Sequence, residues 1–127
     1  MMKIFNKATK IAFDMYVNRP KIKGHMYHTA ILFRRNTPVA IGINQYQTDP
    51  KVIQIASSCG LDIDYAFIHA EINALTKIDD YHGLKMVVVR INTKGLAISK
   101  PCKNCQMILE GLQIPYFYST RDGYEGW

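Results

Sequence analysis

The chain has 127 residues, a net charge of +6, and a composition of 48% hydrophobic and 20% charged residues. These values are typical of one globular domain with its own core, and we interpret residues 1–127 as a single domain. A membrane-spanning chain is excluded, because no apolar run approaches the roughly 18 residues that a transmembrane helix needs. The lysines of the N-terminus are scattered rather than placed before an apolar block. No secretory signal is therefore predicted, and a cytoplasmic location is expected.

The first half of the chain predicts one helix followed by a β-hairpin. Residues 4–17 place apolar side chains at helical spacing with lysines between them, which is typical of an amphipathic helix. The runs HTAILFRR (28–35) and VAIGIN (39–44) are strand-like, and the short NTP segment between them predicts a hairpin connection. Farther along, an Asp-Pro pair resembles a helix start and predicts a short helix over residues 50–56.

The second half predicts helices and strands in alternation. The segment 69–79 is predicted to be helical, and KMVVVRI (85–91) has the continuous apolar character of a buried strand. A further helix is predicted over residues 101–111, and a last strand over QIPYFYST (113–120). The remaining RDGYEGW is interpreted as a short tail.

This order of elements indicates an α/β fold. The opening hairpin makes an antiparallel pair, whereas the strand–helix–strand units of the second half imply parallel pairing. The prediction is a three-layer α/β/α sandwich with a mixed four- to five-stranded sheet. In such a fold a site is expected beyond the carboxyl ends of the strands, at the N-termini of helices.

Three residues at two predicted helix starts are candidate metal ligands. His69 opens one helix, and Cys102 and Cys105 form a CxxC at the start of the next. The i, i+3 spacing puts both sulfurs on one side of their helix. If the two helix N-termini open on the same edge of the sheet, one imidazole and two sulfurs come together. Three protein ligands with an open fourth position are typical of catalytic zinc.

Glu71 follows His69 by two residues, which places the two side chains roughly 200° apart around an ideal helix. They therefore do not form a same-face ligand pair. Either the pair is incidental, or the two side chains have different functions at one shared site. The downstream cysteines favour the second interpretation, in which Glu71 takes a proton from a water beside the metal.

The pattern His69-Ala70-Glu71 followed by PCKNC (101–105) resembles the HxE…PCxxC signature of the zinc-dependent cytidine/deoxycytidylate deaminase superfamily. The resemblance extends to the order of elements over residues 25–119. GINQYQTDP (42–50) is also similar to a GxN…THP stretch of small phage-type deoxycytidylate deaminase-like proteins, although Asp49 stands where those proteins usually have histidine. The family's sheet usually has a fifth strand after another helix, and no such strand is predicted here.

The resemblance implies a role for each matching residue. Glu71 would be the catalytic proton shuttle while zinc activates the attacking water. The backbone N–H of Ala70 would hold the base carbonyl, and Asn44 would contact the sugar or the base edge. The Zn²⁺ ligands would be His69, Cys102 and Cys105.

Three further residues are predicted to line the substrate pocket: His28, Tyr118 and Ser119. Tyr118 and Ser119 lie at the carboxyl end of a predicted strand, where a pocket is expected. Strand packing also explains the aromatic residues of this segment, and a surface or capping position is the alternative for His28.

The predicted function is zinc-dependent hydrolytic deamination of a cytosine nucleoside or nucleotide, with deoxycytidylate as the preferred candidate. The expected partners are this small molecule and further copies of the chain in a homo-oligomer, without membrane contact. Residues 1–35 hold eight lysines and arginines against the single acid Asp14. This basic third would help to hold a phosphate, although a solvated helix face explains the same charges.

Three alternatives remain open. The chain could deaminate a base in single-stranded nucleic acid or tRNA, with the basic surface following the backbone. The CxxC could be a redox pair, which leaves the histidine and the glutamate unexplained. A non-catalytic zinc-stabilised binding domain is the third alternative, and it needs a fourth ligand from among His25, His28, His82 and Cys59.

Overall fold

The computed structural model describes residues 2–22, 25–44 and 69–126. The helix predicted over residues 50–56 lies outside the described residues. None of the helices in the described ranges is both long and apolar enough to cross a membrane. In chain order the elements are α1 (Met2–Asn18), β1 (Tyr27–Arg34), β2 (Thr37–Ile43), α2 (Ala70–Leu75), β3 (Leu84–Asn92), β4 (Gly95–Ala97), α3 (Lys103–Gly111), β5 (Tyr116–Thr120) and β6 (Gly123–Gly126).

The strands of the described ranges form one mixed sheet in the order β2-β1-β3-β5-β6, and β4 pairs with β3 beside this path. β1 is antiparallel to both β2 and β3, so the predicted opening hairpin is confirmed. β3 runs parallel to β5, with Met86 opposite Tyr116 and Val88 opposite Tyr118. This parallel pair confirms the prediction from the strand–helix–strand order. Because β3 is covered on both faces, its sequence is apolar without alternation.

α1 covers one face of the sheet. Its buried residues Ile4, Ala8 and Ala12 recur every four positions, which places them on one side of the helix. This side packs on the side chains of β1 and β3 that point to the same face: Ile31, Phe33, Val87, Val89 and Ile91.

α2 and α3 cover the opposite face. Ala74 and Leu75 of α2 and Ile108 and Leu109 of α3 are buried in one cluster. That cluster includes the alternate side chains of the central strands: Ala30, Leu32, Met86 and Val88. The two helices that carry the candidate metal ligands therefore share one side of the sheet, and α1 lies on the other.

The sheet has six strands rather than the predicted four to five. β4 has three residues and follows a tight turn, so its apolar pattern is too short to predict a strand from the sequence. β6 lies in the segment predicted to be a tail. Its Tyr124 ring stacks on Phe5 of α1 with 4.6 Å between ring centroids, and Gly126 lies against the Phe117 ring. Contacts with residues distant in sequence thus order a stretch whose composition resembles a tail.

α2 is shorter than predicted, since it ends at Leu75 rather than at residue 79. The backbone N–H groups of Lys77 and Ile78 donate to the carbonyls of Ala74 (3.2 Å) and Leu75 (3.5 Å). These i to i−3 bonds tighten the last turn into 3₁₀ geometry, which commonly ends an α-helix.

Gly42 of β2 lies directly against the backbone of α2. A Cβ at this position would overlap the amide nitrogen of Ala74 and the carbonyl oxygen of Ala70. We expect Gly42→Ala to lower the free energy of unfolding by about 3 kcal/mol, because the obstructing atoms are backbone and α2 has to shift. Urea denaturation measures the change.

Gly83→Ala is the control for this prediction. An added Cβ at Gly83 meets nothing within 4 Å, and the expected loss comes only from the positive φ of 66°. That conformation costs an L-residue roughly 1 kcal/mol. Equal losses in the two variants would contradict the close approach of β2 and α2.

Candidate metal and catalytic site

His69 is held at the N-cap of α2 by contacts between that helix and β2. Its carbonyl accepts the first hydrogen bond of the helix, from the Asn73 N–H at 2.9 Å. The Asn73 side chain in turn accepts a hydrogen bond from the backbone N–H of Ile43 at 3.0 Å. Asn73 is buried, so this bond fixes the start of α2 against the end of β2. The position of His69 is thereby set by the sheet.

Cys102 and Cys105 are positioned by the start of α3. Cys102 is the N-cap residue, and its Sγ accepts a hydrogen bond from the Cys105 N–H at 3.5 Å. Gln106 closes the same turn by donating from Nε2 to the Pro101 carbonyl at 2.7 Å. Cys105 is buried in the core against which α3 packs, whereas Cys102 is exposed. One thiol of the pair therefore faces the core and the other faces solvent.

The three candidate ligands come together as predicted. Their ligand atoms all lie within 4.8 Å of one another. His69 Nδ1 is 3.6 Å from the Sγ of Cys102 and 3.4 Å from the Sγ of Cys105. Zinc bonds of about 2.3 Å to sulfur and 2.0 Å to nitrogen, at tetrahedral angles, separate such atoms by about 3.5 Å. The spacing of the imidazole and the thiols therefore fits a zinc ion.

The three side chains of the cluster shift one another's pKa values. A hydrogen bond with the Cys105 thiol, joined by one with His69, lowers the pKa of Cys102 to about 4. The same bond with Cys102, together with burial, raises the pKa of Cys105. The hydrogen bond to Cys102 raises the pKa of His69. The lowered pKa of Cys102 favours its thiolate, which is the form of cysteine that binds metal.

Glu71 lies in the first turn of α2 and is only 5% exposed. Burial raises the pKa of this carboxyl group, while its own backbone N–H and the nearby His69 act in the opposite direction. The carboxyl group also hydrogen-bonds the Cys105 thiol, which raises the pKa of that thiol. Glu71 therefore borders the ligand cluster without belonging to it.

No fourth ligand joins this cluster among the described residues. His28 Nδ1 lies 2.8 Å from the Ser99 hydroxyl oxygen, and His25 Nε2 lies 3.4 Å from the Asn44 amide nitrogen. His82 is exposed beyond the far end of β1, where Arg34 Nε donates to its carbonyl. Cys59 falls outside the described residues. Within the described part of the chain, the donor set has the three-ligand composition typical of catalytic zinc.

Asn44 lies at the end of β2, and its side chain joins the neighbouring strand ends. Its Oδ1 accepts from the His28 N–H (3.1 Å) and from Arg19 Nη2 (3.1 Å). Its Nδ2 donates to the carbonyl of Met26 at 2.7 Å. Arg19 also donates to the carbonyls of His28 (3.3 Å) and of Asn44 itself (3.2 Å). The asparagine predicted to contact substrate is thus part of a hydrogen-bond network that holds the start of β1.

The other predicted pocket residues occupy different environments. Ala70 is buried at the first position of α2, next to His69. Tyr118 is partly buried against the α2–α3 cluster, and its hydroxyl donates to Glu125 Oε2 at 3.1 Å. Ser119 is fully buried, where its hydroxyl donates to the Ala97 carbonyl (2.7 Å) and accepts from the Arg90 N–H (3.0 Å). The Ser119 hydroxyl is thus engaged within the sheet.

The basic N-terminal third is divided between different surfaces. α1 and its lysines lie on the face of the sheet opposite to the ligand cluster. Lys7 Nζ donates to the Asn36 carbonyl (2.7 Å), and Arg34 Nη2 to the Asp80 carbonyl (2.7 Å). Of these charges, Arg19 lies at the site end of the sheet, where it contacts the backbone of β1 and β2. The sheet separates the lysines of α1 from the cluster, so the prediction that the basic third helps to hold a phosphate now concerns the cations at the site end of the sheet.

Two positioning features were missed in the sequence. Asn73 and Gly42 fix α2 against β2, and Ser99 holds His28 two residues before the PCKNC segment begins. The sequence signal for such a close helix–strand contact is a glycine inside a strand pattern, with alanines at i and i+4 of the facing helix. Here the alanines are Ala70 and Ala74.

His28 is predicted to make the stability of the folded protein depend on pH. Burial, aided by the positive charges of Arg90 and Arg19, lowers its pKa from 6.5 to about 4. Below pH 6.5 the His28 imidazole is protonated in the unfolded chain, whereas in the folded chain it is protonated only below about pH 4. The free energy of unfolding therefore falls as the pH falls from 6.5 to 4. From this histidine we expect a loss of about 2 kcal/mol between pH 8 and pH 5. His28→Gln should remove that loss.

Urea denaturation at several pH values measures the difference between wild type and variant. The matched control is His82→Gln, which replaces an exposed histidine and should leave the pH dependence as it is. If stability falls as steeply in His28→Gln as in the wild type, His28 is not the group responsible.

Three solved structures are similar to this fold. A dCMP deaminase from the cyanophage S-TIM5, in complex with dCMP and dUMP, matches with a TM-score of 0.56 and 18% sequence identity, covering 91% of this chain and 80% of that one. The apo form of the same enzyme matches with a TM-score of 0.52 and 18% sequence identity, covering 92% of this chain and 82% of that one. A cytidine deaminase from Mycobacterium leprae matches with a TM-score of 0.53 and 16% sequence identity, covering 93% of this chain and 88% of that one.

This similarity confirms the predicted fold class and its resemblance to the cytidine and deoxycytidylate deaminases. No protein-family model matches the chain, and no curated protein matches its sequence. At 16–18% identity the similarity establishes the fold. The activity has to be argued from the site itself.

Proposed function

We propose that this protein is a zinc-dependent hydrolytic deaminase that converts a cytosine nucleoside or nucleotide, deoxycytidylate in the first place, to its uracil form with release of ammonia. The observation that carries the proposal is the cluster of His69, Cys102 and Cys105 with the buried Glu71 beside it. The similarity of the fold to a dCMP deaminase and a cytidine deaminase supports the choice of substrate class.

Zinc bound by the imidazole and the two sulfurs supplies Lewis acidity, which lowers the pKa of a water molecule to about 7. The task of Glu71 is then to move protons. Its carboxylate would take one proton from the attacking water and pass it to the ring nitrogen next to the reacting carbon. It would then move the other proton of the same water, from the new hydroxyl group on that carbon, to the departing amine, which leaves as ammonia. Burial raises the pKa of this carboxyl group, and a raised pKa favours a carboxyl group that acts as an acid as well as a base.

Binding of the base is assigned to residues around the start of α2. The backbone N–H of Ala70 lies ahead of the first intrahelical bond, which Asn73 donates to His69, and it is proposed to donate to the base carbonyl. Asn44 is proposed to contact the sugar, and His28 and Tyr118 to border the pocket. Ser119 is left out of this proposal, because its hydroxyl is buried and engaged on both sides.

The proposal is tested by measuring ammonia release from purified protein with about one zinc per chain. The substrates are cytidine, deoxycytidine, their monophosphates, and single-stranded DNA and RNA. Release from a free nucleoside or nucleotide supports the proposal, and the preferred compound names the substrate. Release only from the polynucleotides would overturn the substrate assignment in favour of a nucleic-acid deaminase.

A zinc-loaded, folded protein that releases ammonia from none of these compounds would favour the non-catalytic zinc-stabilised domain. Metal coordination then provides the independent check. A structural site has four protein ligands, whereas the proposed site has three and an open position. X-ray absorption at the zinc edge counts the ligands without reference to activity.

A further inference from the structure

A cavity of about 350 Å³ lies at the end of the sheet where β3 turns into β4. Its volume falls in the range of about 300–1,000 Å³ that is usual for small-ligand pockets. Three cations line it, and the part of the lining that the structure describes contains no carboxylate: Arg90, Lys94 and Arg121. Asn92 and Ile98 complete two of its walls.

Each cation reaches the cavity from a different element. Arg90 lies on β3, Lys94 in the turn between β3 and β4, and Arg121 in the turn between β5 and β6. The Lys94 turn is closed by Asn92, whose side chain accepts from the Lys94 N–H at 2.8 Å. The Arg121 turn is closed by the Asp122 N–H, which donates to the Thr120 hydroxyl at 3.2 Å. Two ordered turns thus bring exposed cations to the mouth of the cavity.

Arg90 is fixed more firmly than the other two cations. On one side its backbone pairs with His28, and on the other with Ala97. Its N–H also donates to the buried hydroxyl of Ser119. A guanidinium group is always charged, and its planar fork of donors matches a phosphate group. The backbone of Arg90 is therefore held on both sides, and its side chain lines the cavity.

The Nε of Arg90 is buried and has no hydrogen-bond partner among the described residues. A buried ionised donor without an acceptor is costly, so native proteins nearly always supply one. An anion in the cavity would supply acceptors for the guanidinium group of Arg90, which lines it. Asp122 follows Arg121 but lines a separate cavity, on the side of the sheet that α1 covers.

We propose that this cavity is a phosphate-binding site formed by Arg90, Lys94 and Arg121. Arg90 binds phosphate oxygens from the inner wall, and the two exposed cations contribute charge at the mouth. The phosphate belongs either to a mononucleotide or to the backbone of a polynucleotide, since the chemistry of recognition is the same for both. The site does not depend on deamination, and it can be tested without it.

The test is calorimetric titration with inorganic phosphate at low ionic strength, with sodium chloride of equal ionic strength as the reference. The wild type is expected to bind phosphate saturably, and binding should weaken as salt is added. Lys94→Gln and Arg121→Gln remove exposed charges without touching the core. Each is expected to lower the affinity about tenfold, the effect of losing one charge-assisted contact.

Lys85→Gln is the matched control, since it removes a charge from the opposite end of β3, about 17 Å from Arg90 along the strand. It should bind phosphate like the wild type. Arg90→Lys keeps the charge but loses the fork, and it should weaken phosphate binding while thermal stability is checked separately. The proposal is overturned if phosphate has no effect beyond that of chloride, or if all four variants bind alike.

Three further ligands identify the source of the phosphate. If Lys94→Gln and Arg121→Gln weaken binding of dCMP but not of deoxycytidine or a short oligothymidylate, the phosphate is that of a mononucleotide. If they weaken binding of the oligothymidylate, the phosphate is that of a backbone. Ammonia release is not used in this test, so loss of the deaminase proposal would leave its result intact.

Discussion

Replacing Glu71 with glutamine is expected to lower the rate of ammonia release by about 10²- to 10⁴-fold, the usual contribution of a positioned general acid–base. Glutamine has nearly the same shape but cannot take a proton from water or pass one on. Since Glu71 is not a member of the ligand cluster, zinc content should stay near one per chain. Rates are measured under saturating substrate, and zinc by elemental analysis of dialysed protein.

The interpretation of this variant depends on the fold staying intact, because Glu71 is buried and hydrogen-bonded to Cys105. The control is therefore the melting temperature of Glu71→Gln with zinc bound, which should be close to that of the wild type. A variant with full zinc content that releases ammonia at the wild-type rate would show that Glu71 is not the proton shuttle.

Loss of either cysteine ligand is expected to abolish stable zinc binding. Cys102→Ala and Cys105→Ala each leave two protein ligands, and the affinity should fall by more than the 10- to 100-fold that is typical when only an outer contact is lost. Because the proposed zinc site exists only in the folded chain, the melting temperature of the wild type should rise on addition of zinc, and those of the variants should not.

The two cysteine variants should differ in metal-free stability. Cys102 is exposed, so its replacement removes little packing, whereas Cys105 is 2% exposed within the core. Truncating a buried side chain by one heavy atom costs about 1 kcal/mol, so Cys105→Ala should be the less stable of the two. Cys59→Ala serves as the control. If it loses zinc as well, Cys59 is a fourth ligand and the site is structural.

The proximity of His69, Cys102 and Cys105 could be predicted from sequence, because both halves of the signature stand at helix starts. A histidine alone or a CxxC alone has many explanations, but the topology of parallel strands brings successive helix starts to the same end of a sheet. His69 and Cys105 are separated by 36 positions in sequence and lie 3.4 Å apart. The histidine motif and the CxxC motif, taken together and in this order, were enough to predict that these side chains lie close together.

The surroundings of the ligands could not be predicted in the same way. Ser119 was predicted to line the pocket because it ends a strand, yet it is buried between β3 and β4, and β4 itself was not predicted. The α1 lysines were expected near a phosphate, yet α1 packs on the other face. Both outcomes depend on which side of the sheet an element covers, and the pattern of a single amphipathic helix does not contain that information.

The edge strand β2 has a consequence for how copies of this chain can associate. An open strand edge offers unpaired backbone groups to any other strand, and such edges lead to aggregation unless they are blocked. Here Pro38 removes one backbone donor of β2, and side chains of α2 and of the turn after it occupy two more groups. Lys77 Nζ donates to the Ile41 carbonyl, and Asn73 accepts from the Ile43 N–H. The contacts that fix the start of α2 thus also occupy part of this edge, which leaves fewer backbone groups of β2 for another strand to pair with.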